Sequence, residues 1–366
     1  METNDSTILQ YQNNITPDLS AGQNYAIRLA ARNGHTEIVR YLLAKAGVDP
    51  SALQNEAIQL SSSRGHADVV KLLLKNSRVD PSERGNYAIR SASMKGYVEV
   101  VQILLDDDRV DPSVLSNKAI LLASRYGHAE VVKILLTDSR VDPSADNNEA
   151  MLWAVENDHS GVLKVLLGDS RVDPSEQNNY AIRRASELGY VESVKMLLQD
   201  SRVDPSCRSN NAIKHASENG HVEIVKILLN DPRVDPSACT NYVIRHASEN
   251  GHVKVVKILL QDSRVDPSVR DNYAIRHASK YGHADIVKIL LEDSRIDPTD
   301  RDDYALRWAS ENDYVEVVKI LQDARIDPNA IERKTIHLAF NYGYIDADKI
   351  HDRPKNSLDF SATHQA

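Results

Sequence analysis

Histidine recurs at His35, His66, His128, His159, His221, His252 and His283, always at intervals of 31 residues or a multiple of 31. Imidazole is the commonest metal ligand and a ready general acid or base, so chemistry is the first reading to test. Equivalent side chains on helices packed side by side lie ~10 Å apart, whereas ligands sharing one zinc ion need bonds of ~2 Å. Tyr97, Tyr190 and Tyr314 also fill the same phase without disturbing the pattern around them. The histidines are therefore expected to be polar residues that start a helix. Arginine forms a second column at positions 78, 109, 140, 171, 202, 233, 264, 295 and 325, each two residues before the Asp of an Asp-Pro pair. A nucleic-acid face should be free of acid, and this column is not, so local turn pairing is expected. A Gly-rich phosphate loop, an H-E-x-x-H helix and a cysteine pair at zinc spacing are all missing from the sequence. The reading assigns no catalytic residue, no metal and no cofactor, and expects no enzyme.

The elements that must position these residues are set by the same period. Val-Asp-Pro recurs at Val48, Val79, Val110, Val141, Val172, Val203, Val234 and Val265, and Ile-Asp-Pro follows at Ile296 and, one residue early, at Ile326. A fixed period over most of a chain signals stacked copies of one unit. In Asn272 to Asp302, Ile275, Ala278 and Ser279 fall at i, i+3 and i+4, one face of a short helix. Asn272 is expected to cap its start, and Gly282 to end it in the left-handed region. A second helix over about His283–Leu291 is apolar on most sides, which places it between neighbours. Asp297-Pro298 then turns the chain, because proline fixes φ and cannot continue a helix. No unit buries its apolar face alone, so stability must come from stacking.

The 366 residues carry 41% hydrophobic content and a formal charge of −9, which argues for a folded chain and against nucleic acid or an anionic membrane as partner. Two cysteines, Cys207 and Cys239, are too few for a disulfide framework. The start Met1-Glu2-Thr3-Asn4-Asp5 has no secretory character, and no run approaches the ~18 apolar residues of a membrane span. An intracellular, cytoplasmic monomer is expected, in a host cytoplasm if the source is viral.

G-H-x-x-V-V-K-I-L-L after an Ala-Ser pair resembles the ankyrin repeat, in phase at Gly34-His35, Gly65-His66, Gly127-His128, Gly220-His221, Gly251-His252 and Gly282-His283. This 31-residue form resembles repeats of large amoeba-infecting DNA viruses and some lower eukaryotes. The resemblance implies an all-α solenoid over residues 24–351, with ten full repeats and a truncated eleventh. Residues 1–23 would then be a tail and degenerate capping half-repeat, and 352–366 a polar, disordered tail. Where the family reads T-P-L-H this chain reads Y-A-I-R, and the connection before the first helix is shorter than in the common ~33-residue form, so a stubby finger is expected.

The column with varied content lies on the first helix, opposite its buried stripe, where Tyr273, His277 and Lys280 sit at i, i+4 and i+7. Its middle position reads Leu29, Leu60, Ser91, Leu122, Trp153, Arg184, His215, His246, His277 and Trp308 in successive repeats. The first position supplies Tyr180, Tyr242, Tyr273 and Tyr304, and the third Glu156, Glu187, Glu218, Glu249 and Glu311. Trp, Tyr and Arg are enriched at interface hot spots. A partner protein is therefore expected in a concave groove along this column, mainly through repeats 5–10. Glu218 and Glu249 follow His215 and His246 by three residues, and a neighbouring carboxylate is expected to favour their charged form. Two other functions fit the same array: an effector that delivers a bound target to a ubiquitin ligase or other host machinery through a tail motif, and a purely architectural spacer.

Overall fold

In the computed structural model, the structure describes residues 18–324. These form two compact units, one of residues 18–185 with 192–204, the other of 186–191 with 205–324. Both repeat one motif: a first helix such as Val269–Lys280, a tight turn, a second helix such as Ala284–Leu291, and the Asp-Pro loop. Among the described residues every element is a helix. Within each unit, first helices pack on the first helices of neighbouring repeats and on their own second helices, the arrangement of a solenoid. The truncated eleventh repeat, the start of the half-repeat and the C-terminal tail lie outside the described residues.

The core follows the sequence pattern. Ala274, Ile275, Ala278 and Ser279 of the first helix are fully buried, with Ile286, Val287 and Leu290 of the second and Val265 before them. Each large aliphatic chain so buried contributes about 2 kcal/mol. Ile289 and Leu291 are only half-buried, so the second helix is less enclosed than its composition predicts.

Asn272 is not the expected cap. Arg270, Asp271 and Asn272 adopt φ of 54°, 55° and 55°, one turn of left-handed helix. The same three positions are left-handed in each of the ten described repeats, from Gly22–Asn24 to Arg301–Asp303. Asn tolerates this region better than most residues, and there its side chain leaves the helix axis for the next loop. Its Oδ1 accepts from the backbone N–H of Asp297 at 2.9 Å. Asn24, Asn55, Asn86, Asn117, Asn148, Asn179, Asn210 and Asn241 make the same bond, each to the Asp 25 residues later, at 2.7–3.1 Å. The expected finger is thus replaced by this left-handed turn. An arginine closes it: Arg276 Nε and Nη2 donate to the carbonyls of Asp271 and Arg270, and Arg245 does the same to Thr240 and Cys239.

The two columns read first for chemistry are also structural, and they reach further than local turns. His252 Nε2 meets the carbonyl of Glu218 in the preceding repeat at 2.8 Å. A carbonyl only accepts, so Nε2 carries the proton. His66, His128, His159, His221 and His283 repeat the contact 34 residues back. The ring lies where a Cβ on Gly220 would sit, 2.7 Å from Nδ1, so glycine there (φ +77°) serves both the turn and the close approach. In the arginine column, Arg264 clasps Asp262 through Nε and Nη2 while Nη1 donates to the carbonyl of Val234, 30 residues back. This pairing holds the Asp262 carboxyl below its ordinary pKa, the Arg264 hydrogen bond being the main cause.

Candidate partner-binding face

The first helices bring the predicted residues together within each unit. In residues 18–185, Trp153 is half-buried, with its Nε1 donating to Glu149 at 3.0 Å and the Arg125 guanidinium 4.4 Å from its ring centre. The Tyr180 hydroxyl donates to Glu156 at 2.9 Å, and Arg184 Nε lies 3.9 Å from the same carboxylate.

In the other unit the rings form a chain. Tyr242 and His246 have centroids 3.9 Å apart, and His246 lies 6.1 Å from Tyr273. Tyr273 and His277 stack at 3.7 Å with 8° between planes, and His277 meets Trp308 edge-on at 5.5 Å. Tyr304 completes the chain 4.1 Å from Trp308. Tyr242–His246, Tyr273–His277 and Tyr304–Trp308 are i, i+4 neighbours on one helix, the spacing that puts side chains face to face, and His246–Tyr273 and His277–Trp308 join successive first helices.

Two carboxylates sit under this chain. Glu218 accepts from the Tyr242 hydroxyl at 3.1 Å, with His215 Nδ1 3.8 Å away. Glu249 accepts from the Tyr273 hydroxyl at 3.0 Å, and stands between His246 Nδ1 at 3.1 Å and His277 Nδ1 at 3.4 Å. Burial, reinforced by these carboxylates, pushes the Tyr242 and Tyr273 phenols up to about 12. Burial also lowers the pKa of His246 and His277. This corrects the expectation for His246: Glu249 does favour its charged form, but loss of hydration outweighs that pull. Glu187 enters differently, through its backbone carbonyl, which accepts from His221 and Asn219.

One ring escaped the sequence reading: Tyr281 lies 6.3 Å from His277, while Lys280, placed in this column by its spacing, has its Nζ 4.5 Å from the Trp308 ring centre. The buried Arg245 lies against Tyr242 of its own helix and Tyr273 of the next first helix, and Arg276 likewise against Tyr273 and Tyr304. Their signal was present as the Ile-Arg pair that recurs at Ile27-Arg28, Ile89-Arg90, Ile182-Arg183, Ile244-Arg245 and Ile275-Arg276, which a search for exposed cations passes over. Among the described residues, no group of three His, Cys, Asp or Glu side chains is placed to hold a metal ion. No helix of theirs is long and apolar enough to cross a membrane.

A family model for ankyrin repeats in three copies matches residues 6–84, 27–116, 91–178, 181–271 and 244–332. The chain belongs to the ankyrin repeat family. Ankyrin repeats are in general protein–protein interaction modules, and proteins built from them are typically non-catalytic scaffolds. No curated protein matches the chain. The 31-residue ankyrin unit seen here keeps the helix pair, and its left-handed turn with the Asn bond stands in place of a finger.

Proposed function

We propose that this ankyrin array is a non-catalytic module that binds a protein partner in a groove lined by its first helices. The contacts come from Trp153, Tyr180, Arg184 and the column from Glu187 to Trp308. The observation that carries this reading is the ring chain from Tyr242 to Trp308. Its members are half-buried, held by stacking and by hydroxyl–carboxylate bonds, and still partly open to solvent. Large rings already fixed in place lose little entropy when a partner covers them, and such residues dominate interface energetics.

The test is affinity purification with mass spectrometry from the native cell, comparing wild type with a Trp153→Ala, Tyr242→Ala, Trp308→Ala variant whose helicity is first checked by circular dichroism. Specific partners should be lost from the variant. Retention of every partner would contradict the groove reading.

A further inference from the structure

One charge relation recurs with a change of residue. Glu156 and Arg184 are 28 residues apart, and the guanidinium lies 3.9 Å from the carboxylate. Glu218 with His246, and Glu249 with His277, stand at the same separation in sequence. There the fixed cation is exchanged for an imidazole, which is uncharged near neutral pH. Among the described residues no lysine or arginine lies within ion-pair distance of Glu218 or Glu249. Their side chains keep 35% and 21% exposure, so both anions can be reached from solvent. Each is framed by the polar edges of rings: the Tyr242 hydroxyl and His215 Nδ1 at the first, the Tyr273 hydroxyl with His246 and His277 Nδ1 at the second. An anion with no fixed cation beside it is a receptor for an ammonium or guanidinium group, which forms a charge-assisted hydrogen bond with it.

We infer that the first-helix face of residues 205–324 receives an extended basic peptide segment, whose Lys or Arg side chains occupy the positions over Glu218 and Glu249. This rests on the groove reading above and specifies the partner's chemistry. Successive helices lie ~10 Å apart, and an extended segment in the polyproline-II conformation advances ~3.1 Å per residue with about three residues per turn, so that residues i and i+3 share one face. The two basic residues therefore fall three apart in the partner. Lys214 and Lys280 flank the pair, one beside Tyr242 and Cys239, the other over Trp308. They restrict the cationic positions to the two central ones and leave Trp308 and Tyr304 for an apolar side chain beyond.

The probe is a displayed library of random 12-residue peptides selected on the full chain, followed by fluorescence anisotropy of the enriched peptides. Enrichment of Lys/Arg pairs at i, i+3 is expected. Glu218→Gln and Glu249→Gln, which keep hydrogen-bonding capacity and remove charge, should each weaken binding about tenfold, with a loss of affinity as salt rises. Enriched peptides without a basic pair would overturn the inference, as would no enrichment or affinities unchanged in both Gln variants. Peptides that lose binding on Trp308→Ala and ignore both Gln variants leave the groove reading standing and remove only this inference. Peptides indifferent to all three variants remove both.

Discussion

Asn241 offers the sharpest test of how the repeats are joined. It is 6% exposed, held at φ +52°, and its Oδ1 accepts from the Asp266 backbone N–H at 2.8 Å. Asn241→Ala deletes the acceptor and leaves that N–H without its partner, a loss of about 1–3 kcal/mol. It also places a Cβ-bearing residue without Asn's local tolerance in the left-handed region, at a further ~1 kcal/mol. The sum is about 2–4 kcal/mol. Asn241→Gly removes the same bond without the steric term, so it should cost about 1 kcal/mol less than Ala. A stacked array unfolds by nearest-neighbour steps, and a single global free energy is a poor readout. Native-state hydrogen exchange at the Asp266 amide, read beside urea unfolding, reports the joint itself. Unchanged protection of that amide in Asn241→Ala, with a loss below about 0.5 kcal/mol, would refute the forward Asn bond as a source of cohesion.

His252→Ala should cost about 1 kcal/mol, because it removes one of the two hydrogen bonds to the Glu218 carbonyl, the other coming from Asn250 Nδ2, and empties the space beside Gly220, whereas His252→Tyr, the residue used at positions 97, 190 and 314, should melt within a few degrees of wild type. Stability should fall with acid through His246 and His277. Burial lowers their folded pKa below the ordinary 6.5, so the unfolded chain binds more protons as pH drops below 6.5 toward the folded values. The contribution is complete above 6.5 and lost through that window. The groups facing them are Glu218, Glu249, Arg245, Tyr242 and Tyr273 around His246, with Glu249, Arg276, Lys280, Tyr273 and Tyr281 around His277. Urea unfolding at pH 7.5 and 5.5 should show a smaller difference in a His246→Phe, His277→Phe variant than in wild type. Basic peptides should also bind less tightly as pH falls far enough below 6.5 to charge His246 and His277 beside Glu249. Finally, burial and then its bond to Glu249 push the Tyr273 phenol up to about 12, so Glu249→Gln should move one phenol to lower pH in an ultraviolet alkaline titration.

Much of the architecture was legible because stacking imposes it on every copy. Val-Asp-Pro, Gly-His and the Val-Val-Lys helix mark loop, turn and core, and Ile286, Val287 and Leu290 are buried as their pattern requires. The tertiary bonds were less legible. Asn272 satisfies the composition of a cap, yet its partner is 25 residues ahead, and only φ at Asn272 decides between the two. His252 and Arg264 look local for the same reason: their second partners lie about one repeat away, at backbone carbonyls that leave no trace in side-chain identity. The first-helix column was found by its varied content, and the pairing of Tyr242 with Glu218 and of Tyr273 with Glu249 follows from the repeat spacing. The direction of the His246 shift was not legible, since depth of burial outweighs the neighbouring charge.

The three hooks that join one repeat to its neighbour have a consequence for chain length. Within each unit, Asn reaches forward 25 residues, His back 34 and Arg back 30, so every hook is defined relative to the next copy and not to an absolute position. Removing or adding 31 residues anywhere inside such a stretch rejoins equivalent donors and acceptors and orphans none. Removing 30 or 32 misplaces all three at once. The array is thus tolerant of whole-copy change and intolerant of single-residue slippage, which lets a binding face be lengthened, shortened or recombined while its joints stay intact.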